Sequence, residues 1–393
     1  MADLDFALFD ADNHYYEATD AFSRFVPDEL ARRGMQWAEI GGRTRLMVGG
    51  RVNRFIPNPQ FDPVAKPGCL DAYFRGKSAA SDMRAAFGEL DPISPAYREP
   101  GPRVALMDQQ NIEGCFMFPT LGVGMEEALL ADPEAANGVF HAFNRWVLDD
   151  WGFDHEGRIF SAPYLCLIDP DAVRDEVAWA LDEGARVFVM RAGPVLAPGG
   201  GRSPADPVYD PMWSLLDQAG VTVAYHSGEA GYGRYSADWG ENPEFEAFRR
   251  SPFISLTQGH RPIYDTIAAL LSHGLFQRFD NLRVATIESG SDWVPTLVTA
   301  LRKTYKQNPD QWAEDPVETL RRHVSVSPYY EDDIRELADL IGADRVLMGS
   351  DYPHAEGLAE PSDYVHDLHG FSADEIRLIM RENGLSLATP QPR

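Results

Sequence analysis

Cysteine is scarce in this chain. Cys69, Cys115 and Cys166 are the only three in 393 residues, and none stands in CxxC spacing. That argues against a disulfide framework or a zinc knuckle, and makes a reducing cytoplasm the expected compartment. No apolar run approaches the roughly 18 residues a membrane-spanning helix needs, so no membrane partner is expected. The start, Met-Ala-Asp-Leu-Asp, is acidic where a leader would be basic. Positive charge is short too. Lys and Arg number 35 against 61 Asp and Glu, a formal net charge of −26 that leaves no basic surface for nucleic acid. Familiar catalytic signatures are also missing. GGGRSP (199–204) lacks the P-loop lysine, no GxSxG elbow occurs, and neither His141 nor His155 stands near a plausible nucleophile.

What is present reads as a large globular core. The chain is 44% hydrophobic and 24% charged, a length and balance that suit one barrel with insertions or two domains. Short apolar runs, β-branched and continuous rather than alternating, recur along it. They are 5–12, 112–120, 159–168, 185–190, 221–226, 283–288, 323–329 and 345–350. Runs of that kind are parallel strands covered on both faces. Helical stretches fall between them, at about 103–109, 133–150, 171–184, 208–219, 262–279, 292–306 and 331–341. Eight strands alternating with helices predict a (β/α)8 barrel of the TIM type. Residues 20–100 break the rhythm. They are rich in Pro, Gly and aromatics and read as a folded insertion, a lid over the site, within a single domain spanning 1–393. A Gly/Pro loop (193–204) and an aromatic, acidic loop (229–255) complete the chain.

Four of the runs end in polar residues of one chemical type. FALFDADNH ends at Asp12 and His14, VTVAYHSGE at His226, RVATIESGS at Glu288, and RVLMGSDYPHAEG at Asp351 with His354 three positions on. In extended chain i and i+2 point the same way, so Asp12 and His14 can reach one ion. A glutamate closing a buried apolar strand is costly without a cation, which gives Glu288 a partner to find. Mixed imidazole and carboxylate sets suit iron or manganese, whereas nitrogen-rich sets suit zinc. Glu17 and His354 read either as further ligands or as groups orienting them. Glu229 and His260 read as loop residues facing substrate or solvent. Residues 41–77 carry seven basic against two acidic side chains, a net +5 in an acidic chain. Arg51 and Arg54 there would dock an anionic substrate, unless they are surface arginines packed on aromatics.

The strand-end pattern, with RPIYDTIAALLSHGLFQRFDNLRVATIESGSDWV and VLMGSDYPHAEG, resembles the amidohydrolase superfamily, in its decarboxylase-like branch. The resemblance implies the barrel fold and matches Asp12 and His14 to the family's strand-1 metal pair. It matches His226 to the strand-5 ligand and Asp351 to the strand-8 ligand. The departures are a carboxylate for the first histidine, Glu288 for a second histidine, and Met190-Arg191 where a bridging lysine would end strand 4. The carboxylate-rich set is similar to a nonheme diiron monooxygenase of platensimycin/platencin biosynthesis, which acts on a diterpenoid CoA thioester. The expectation is therefore a diiron centre held by Asp12, His14, His226, Glu288 and Asp351, hydroxylating an organic acid or its thioester. In it Asp351, His354 and Glu17 act catalytically and Arg191 orients substrate. The alternative is a Zn or Mn hydrolase or non-oxidative decarboxylase of a small carboxylic acid. The one protein partner the chain allows for is a second copy, as a homodimer.

Overall fold

The computed structural model describes residues 4–196, 200–244, 246–248 and 251–393. Residues 1–3, 197–199, 245 and 249–250 lie outside the described residues, so the first three residues and parts of the loops at 193–204 and 229–255 fall there. β1 (Leu8–Tyr15) opens the barrel. An excursion follows over 16–99, carrying a small antiparallel sheet of β2 (Met35–Ile40), β3 (Arg43–Val48) and β4 (Arg51–Val52). Gly41-Gly42 and Gly49-Gly50, all at positive φ, close its two hairpins, a conformation glycine adopts without cost. The parallel staves resume with β5 (Ile112–Pro119), β6 (Ile159–Ser161), β7 (Val187–Arg191), β8 (Thr222–His226), β9 (Arg283–Ile287) and β10 (Val324–Val326).

Two parallel sheets, β1-β5-β6 and β7-β8-β9-β10, form the wall. Main-chain hydrogen bonds join them at both seams. Leu165 N donates to Val189 O (2.8 Å) and Val189 N to Pro163 O (3.0 Å). On the other side Leu347 N donates to Val326 O (2.9 Å), Ala11 N to Met348 O (2.9 Å) and His14 N to Tyr352 O (2.8 Å). The 346–352 segment is thus the eighth stave, and the wall is a closed (β/α)8 barrel. Its helices include Pro133–Asp150, Pro170–Asp182 and Pro316–His323. Each of these three begins Asp-Pro. The aspartate accepts a first-turn N–H, and proline fills the position whose own N–H would go unused.

Several expected boundaries move. β1 runs three residues past Asp12 because Asp10, Asp12, Asn13 and His14 are as buried as their apolar neighbours. The strand expected at 159–168 stops at Ser161, since Pro163 cannot donate to a ladder. The strand expected at 345–350 forms isolated bridges, Val326 with Val346 and Asn13 with Tyr352, rather than a ladder. The helix expected at 262–279 breaks at Gly274 (φ 67°) into Arg261–Ser272 and Leu275–Arg278. Among the described residues no helix is long and apolar enough to cross a membrane.

Candidate metal centre

The carboxyl ends of four staves converge. His14 Nε2 lies 3.1 Å from Asp12 Oδ1, 3.2 Å from His226 Nε2, 3.4 Å from Asp351 Oδ1 and 3.9 Å from Glu288 Oε2. His226 Nε2 stands 3.3 Å from Glu288 and 3.6 Å from Asp12. Asp12, His14, His226 and Glu288 each offer one atom within 4.8 Å of the others, and so do His14, Glu288, Asp351 and His354. Donors bound at ~2.1 Å to one ion are spaced about 3.0 Å apart along an octahedral edge and about 3.4 Å along a tetrahedral one. Within the first set Asp12–His14, His14–His226 and His226–Glu288 match that spacing, while His226–Asp12 and His14–Glu288 are wider by a few tenths of an ångström. Among the described ion pairs these three carboxylates meet only histidines, never Lys or Arg. Two buried carboxylates and the half-buried Glu288, without a fixed cation, fit a divalent ion.

The electrostatics agree. Burial, with Asp351 and Asp12 nearby, pushes the Glu288 carboxyl well above its ordinary range. Burial, with Glu356 and Asp12, does the same to Asp351. For Asp12 burial acts upward, but hydrogen bonds to His14 and His226 outweigh it and hold the group below its usual range. Burial lowers His14 to about 3, whereas His226 is raised because Glu288 and Asp12 outweigh its burial. His226 Nδ1 sits 2.7 Å from the Ser227 carbonyl, an acceptor, so it carries the ring proton and Nε2 turns a lone pair inward. His14 Nδ1 has no hydrogen-bond partner among the described residues.

The backbone that aims these groups is held tightly. Asp10, absent from the candidate residues, accepts from Ser350 N (2.9 Å), Ser350 Oγ (2.5 Å) and Asn13 Nδ2 (2.8 Å), tying β1 to the eighth stave. Arg103, fully buried, donates to Ala96 O (2.6 Å), His14 O (2.7 Å) and the Asn13 side chain. Tyr329 donates its hydroxyl to Glu288 O (2.6 Å). Glu288 (φ 49°) and Asp351 (φ 54°) occupy the left-handed region, a strain of about 1–3 kcal/mol each that their neighbours impose.

Of the remaining candidates, His354 borders the cluster and the others lie apart from it. His354 Nδ1 is 2.6 Å from Asp351 Oδ1 and its Nε2 3.0 Å from Thr120 Oγ1, so it orients the aspartate. Glu17 Oε1 accepts from Leu121 N (2.8 Å) and Gly122 N (3.0 Å), capping the turn after β5, and burial lifts its carboxyl to about 7. Arg191, expected to orient substrate, is instead committed to Glu126 (3.3 Å), Glu127 (3.2 Å) and Pro194 O (2.8 Å). Arg51 is exposed, and Arg54 is exposed against Glu244 at 3.4 Å. The +5 segment is further offset where Lys66 meets Asp91 (3.8 Å) and Arg75 meets Asp367 (2.7 Å). Glu229 accepts from Gly231 N (2.9 Å) beyond β8, and His260 lies 3.3 Å from Ser289 O. Glu356 was not among the candidates. It lines the same cavity as Asp12, Glu288 and Asp351, and its signal was its place two residues after His354.

A closed (β/α)8 barrel with imidazoles and carboxylates gathered at the carboxyl ends of its staves defines a class of metal-dependent enzyme. The chain belongs to the amidohydrolase family, whose profile matches residues 89–386. It is similar to the solved structure of an amidohydrolase from Mycobacterium avium subsp. paratuberculosis K-10, at 42% identity and a TM-score of 0.93. That match covers 98% of this chain and 100% of the other. At the level of fold it is also similar to 5-carboxyvanillate decarboxylase from Sphingomonas paucimobilis (15% identity, TM-score 0.56, covering 97% and 98%). A dihydroxybenzoic acid decarboxylase from Polaromonas sp. JS666, solved with bound manganese, is comparable (16% identity, TM-score 0.57, covering 86% and 95%).

Proposed function

We propose that this chain is a mononuclear, divalent-metal-dependent enzyme that removes the carboxyl group of a small carboxylic acid without oxidation. The observation that carries the reading is the single vertex at His14 Nε2, from which Asp12, His226 and Glu288 are all reached within 3.1–3.9 Å. One nitrogen lone pair serves one ion, so a set built around it favours one metal over two. The decarboxylases of like fold, one with manganese, point the same way. They favour this over the diiron oxygenase expected from the carboxylate-rich pattern, for which no relative here speaks. Manganese suits a set of two imidazoles and two carboxylates.

Asp12, His14, His226 and Glu288 would hold the ion, which supplies Lewis acidity that polarises a substrate oxygen. The chain's own residues handle the proton. When the carbon–carbon bond breaks, its electron pair stays on the substrate carbon and a proton must replace the departing carbon dioxide. Asp351, whose carboxyl burial raises above its ordinary range, would supply that proton, and His354 at 2.6 Å orients it and would relay a replacement proton from water. Phe118, whose ring is 5.2 Å from that of His226, packs an apolar face against that ligand.

The test is metal content per chain on protein purified without chelators, combined with assays on 2,6-dihydroxybenzoate for carbon dioxide release and oxygen uptake. About one manganese or zinc with release of carbon dioxide, and no oxygen consumed, is the expected result. Two irons per chain with oxygen uptake would overturn it.

A further inference from the structure

The cavity that opens onto the cluster has a volume of about 270 Å³ and a lining of uneven charge. Carboxylates from Asp12, Glu288, Asp351 and Glu356 lie along it, and its lining also includes Glu331 and the pair Asp71 and Asp367, which Arg75 holds together. Among the described residues Arg75 is the one cation that lines it. That guanidinium is already committed. Its Nε donates to Asp71 (2.6 Å), and Nη1 and Nη2 donate to the two oxygens of Asp367 (2.7 and 2.9 Å). Its face lies 3.9 Å from the Tyr330 ring centroid. Two carboxylates therefore outweigh one arginine, and Glu331 adds a third. The other walls are rings and hydrocarbon: Phe74, Phe248, Tyr329, Tyr364 and Leu358.

We infer that this cavity selects a monoanionic acid. Its single carboxylate goes to the metal cluster, its body is flat and apolar, and any distal substituent is neutral or cationic. The inference rests on the function proposed above and narrows its substrate class. A second anion would be brought among Asp71, Glu331 and Asp367 with no unpaired cation to receive it, whereas a cation would find carboxylates and π-faces. Dicarboxylates and the phosphate-rich thioester expected from the sequence are both disfavoured. Asp71, Glu331 and Asp367 are then specificity determinants, and Arg75 is the strut that spaces two of them.

Three para-substituted benzoates separate the cases: 4-methylbenzoate, terephthalate and 4-(aminomethyl)benzoate, the last two of equal reach and opposite distal charge, titrated calorimetrically into manganese-loaded protein. Terephthalate is expected to bind at least about tenfold more weakly than 4-methylbenzoate, with the aminomethyl compound equal or tighter. Glu331→Gln and Asp367→Asn should each narrow the terephthalate gap to about threefold. Either variant alone suffices should the other fail to fold. Terephthalate binding as well as 4-methylbenzoate, or a gap that neither variant changes, would overturn the selection while leaving the metal reading intact. Binding of 4-methylbenzoate that ignores manganese removal would instead sink the metal reading, and the selection with it.

Discussion

At the scale of single residues, the cluster divides into groups that would hold an ion and groups that aim them. His14 belongs to the first kind, being the vertex shared by four neighbours. His14→Ala should abolish stoichiometric metal binding, measured by elemental analysis after dialysis, while the far-ultraviolet circular dichroism stays unchanged. His354 belongs to the second. Its ring touches Asp351 and Thr120, so His354→Gln should keep the metal and lower turnover about 10- to 100-fold, as loss of a group that orients a proton donor beside the ion should. Glu17 offers a pH test away from the ion. Its folded carboxyl titrates near 7, above its ordinary 4.5, because burial disfavours the charged form. A raised carboxyl stabilises fully below the unfolded value, and that stability is lost as pH rises through the folded one. Wild-type protein should therefore lose stability between about pH 4.5 and 7 in urea titrations, and Glu17→Gln should remove that increment. A slope identical in the variant would assign it elsewhere.

At the scale of elements, much of the barrel is written in the chain. β5, β7 and β8 fall within two residues of where continuous apolar runs expect them, and the helix at 133–150 matches at both ends. The misses have physical causes. β1 was cut short at Asp12 because hydrophobicity marks burial only where water is excluded by apolar groups. Here Asp10, Asn13 and His14 are buried through hydrogen bonds instead. The eighth stave was expected as a regular strand, yet beyond Met348 its backbone turns under Asp10 to aim Asp351. The sheet of β2, β3 and β4 was hidden because its strands alternate polar residues and its hairpins rest on glycine pairs inside a Pro-rich tract. The cluster was legible because each ionisable group closes an apolar run. Asp10 and Arg103 were not, since their meaning depends on contacts 340 and 89 residues away. Arg103 gives the prediction at this scale. It donates to three acceptors with no water to replace it, so Arg103→Met should destabilise by about 3 kcal/mol in denaturant unfolding. The end of β1 should loosen with it, and metal affinity should fall in the same variant.

At the scale of the whole molecule, the net charge of −26 and the buried carboxylate cluster act on folding together. Without a cation, closing the barrel gathers Glu288, Asp351 and Asp12 around His14 at the inner end of a cavity. Glu288 and Asp351 respond by holding their protons, through burial first and through the neighbouring carboxylates second. Their folded values exceed their unfolded ones, so metal-free protein is most stable near pH 4 and loses stability as pH rises above it. Asp12 has the opposite sign, and its contribution is lost only as pH falls below its ordinary range. A bound divalent ion reverses the upper limb. It pairs with the ionised carboxylates in the native state and leaves the unfolded chain almost unaffected. At a hundredfold excess over its dissociation constant it adds about 2.7 kcal/mol, or a few degrees in melting temperature for a chain of this size. Removing the metal with a chelator should therefore lower the melting temperature little at pH 5 and progressively more toward pH 8. Manganese-loaded protein should keep only a shallower slope, left by raised carboxyls that do not hold the ion, such as Glu17, Asp10 and Asp351. Calorimetric melts across that range, with and without chelator, test the coupling. Parallel curves at every pH would mean that the cluster folds without needing a cation, and the ion would then be a guest of the barrel rather than one of its supports.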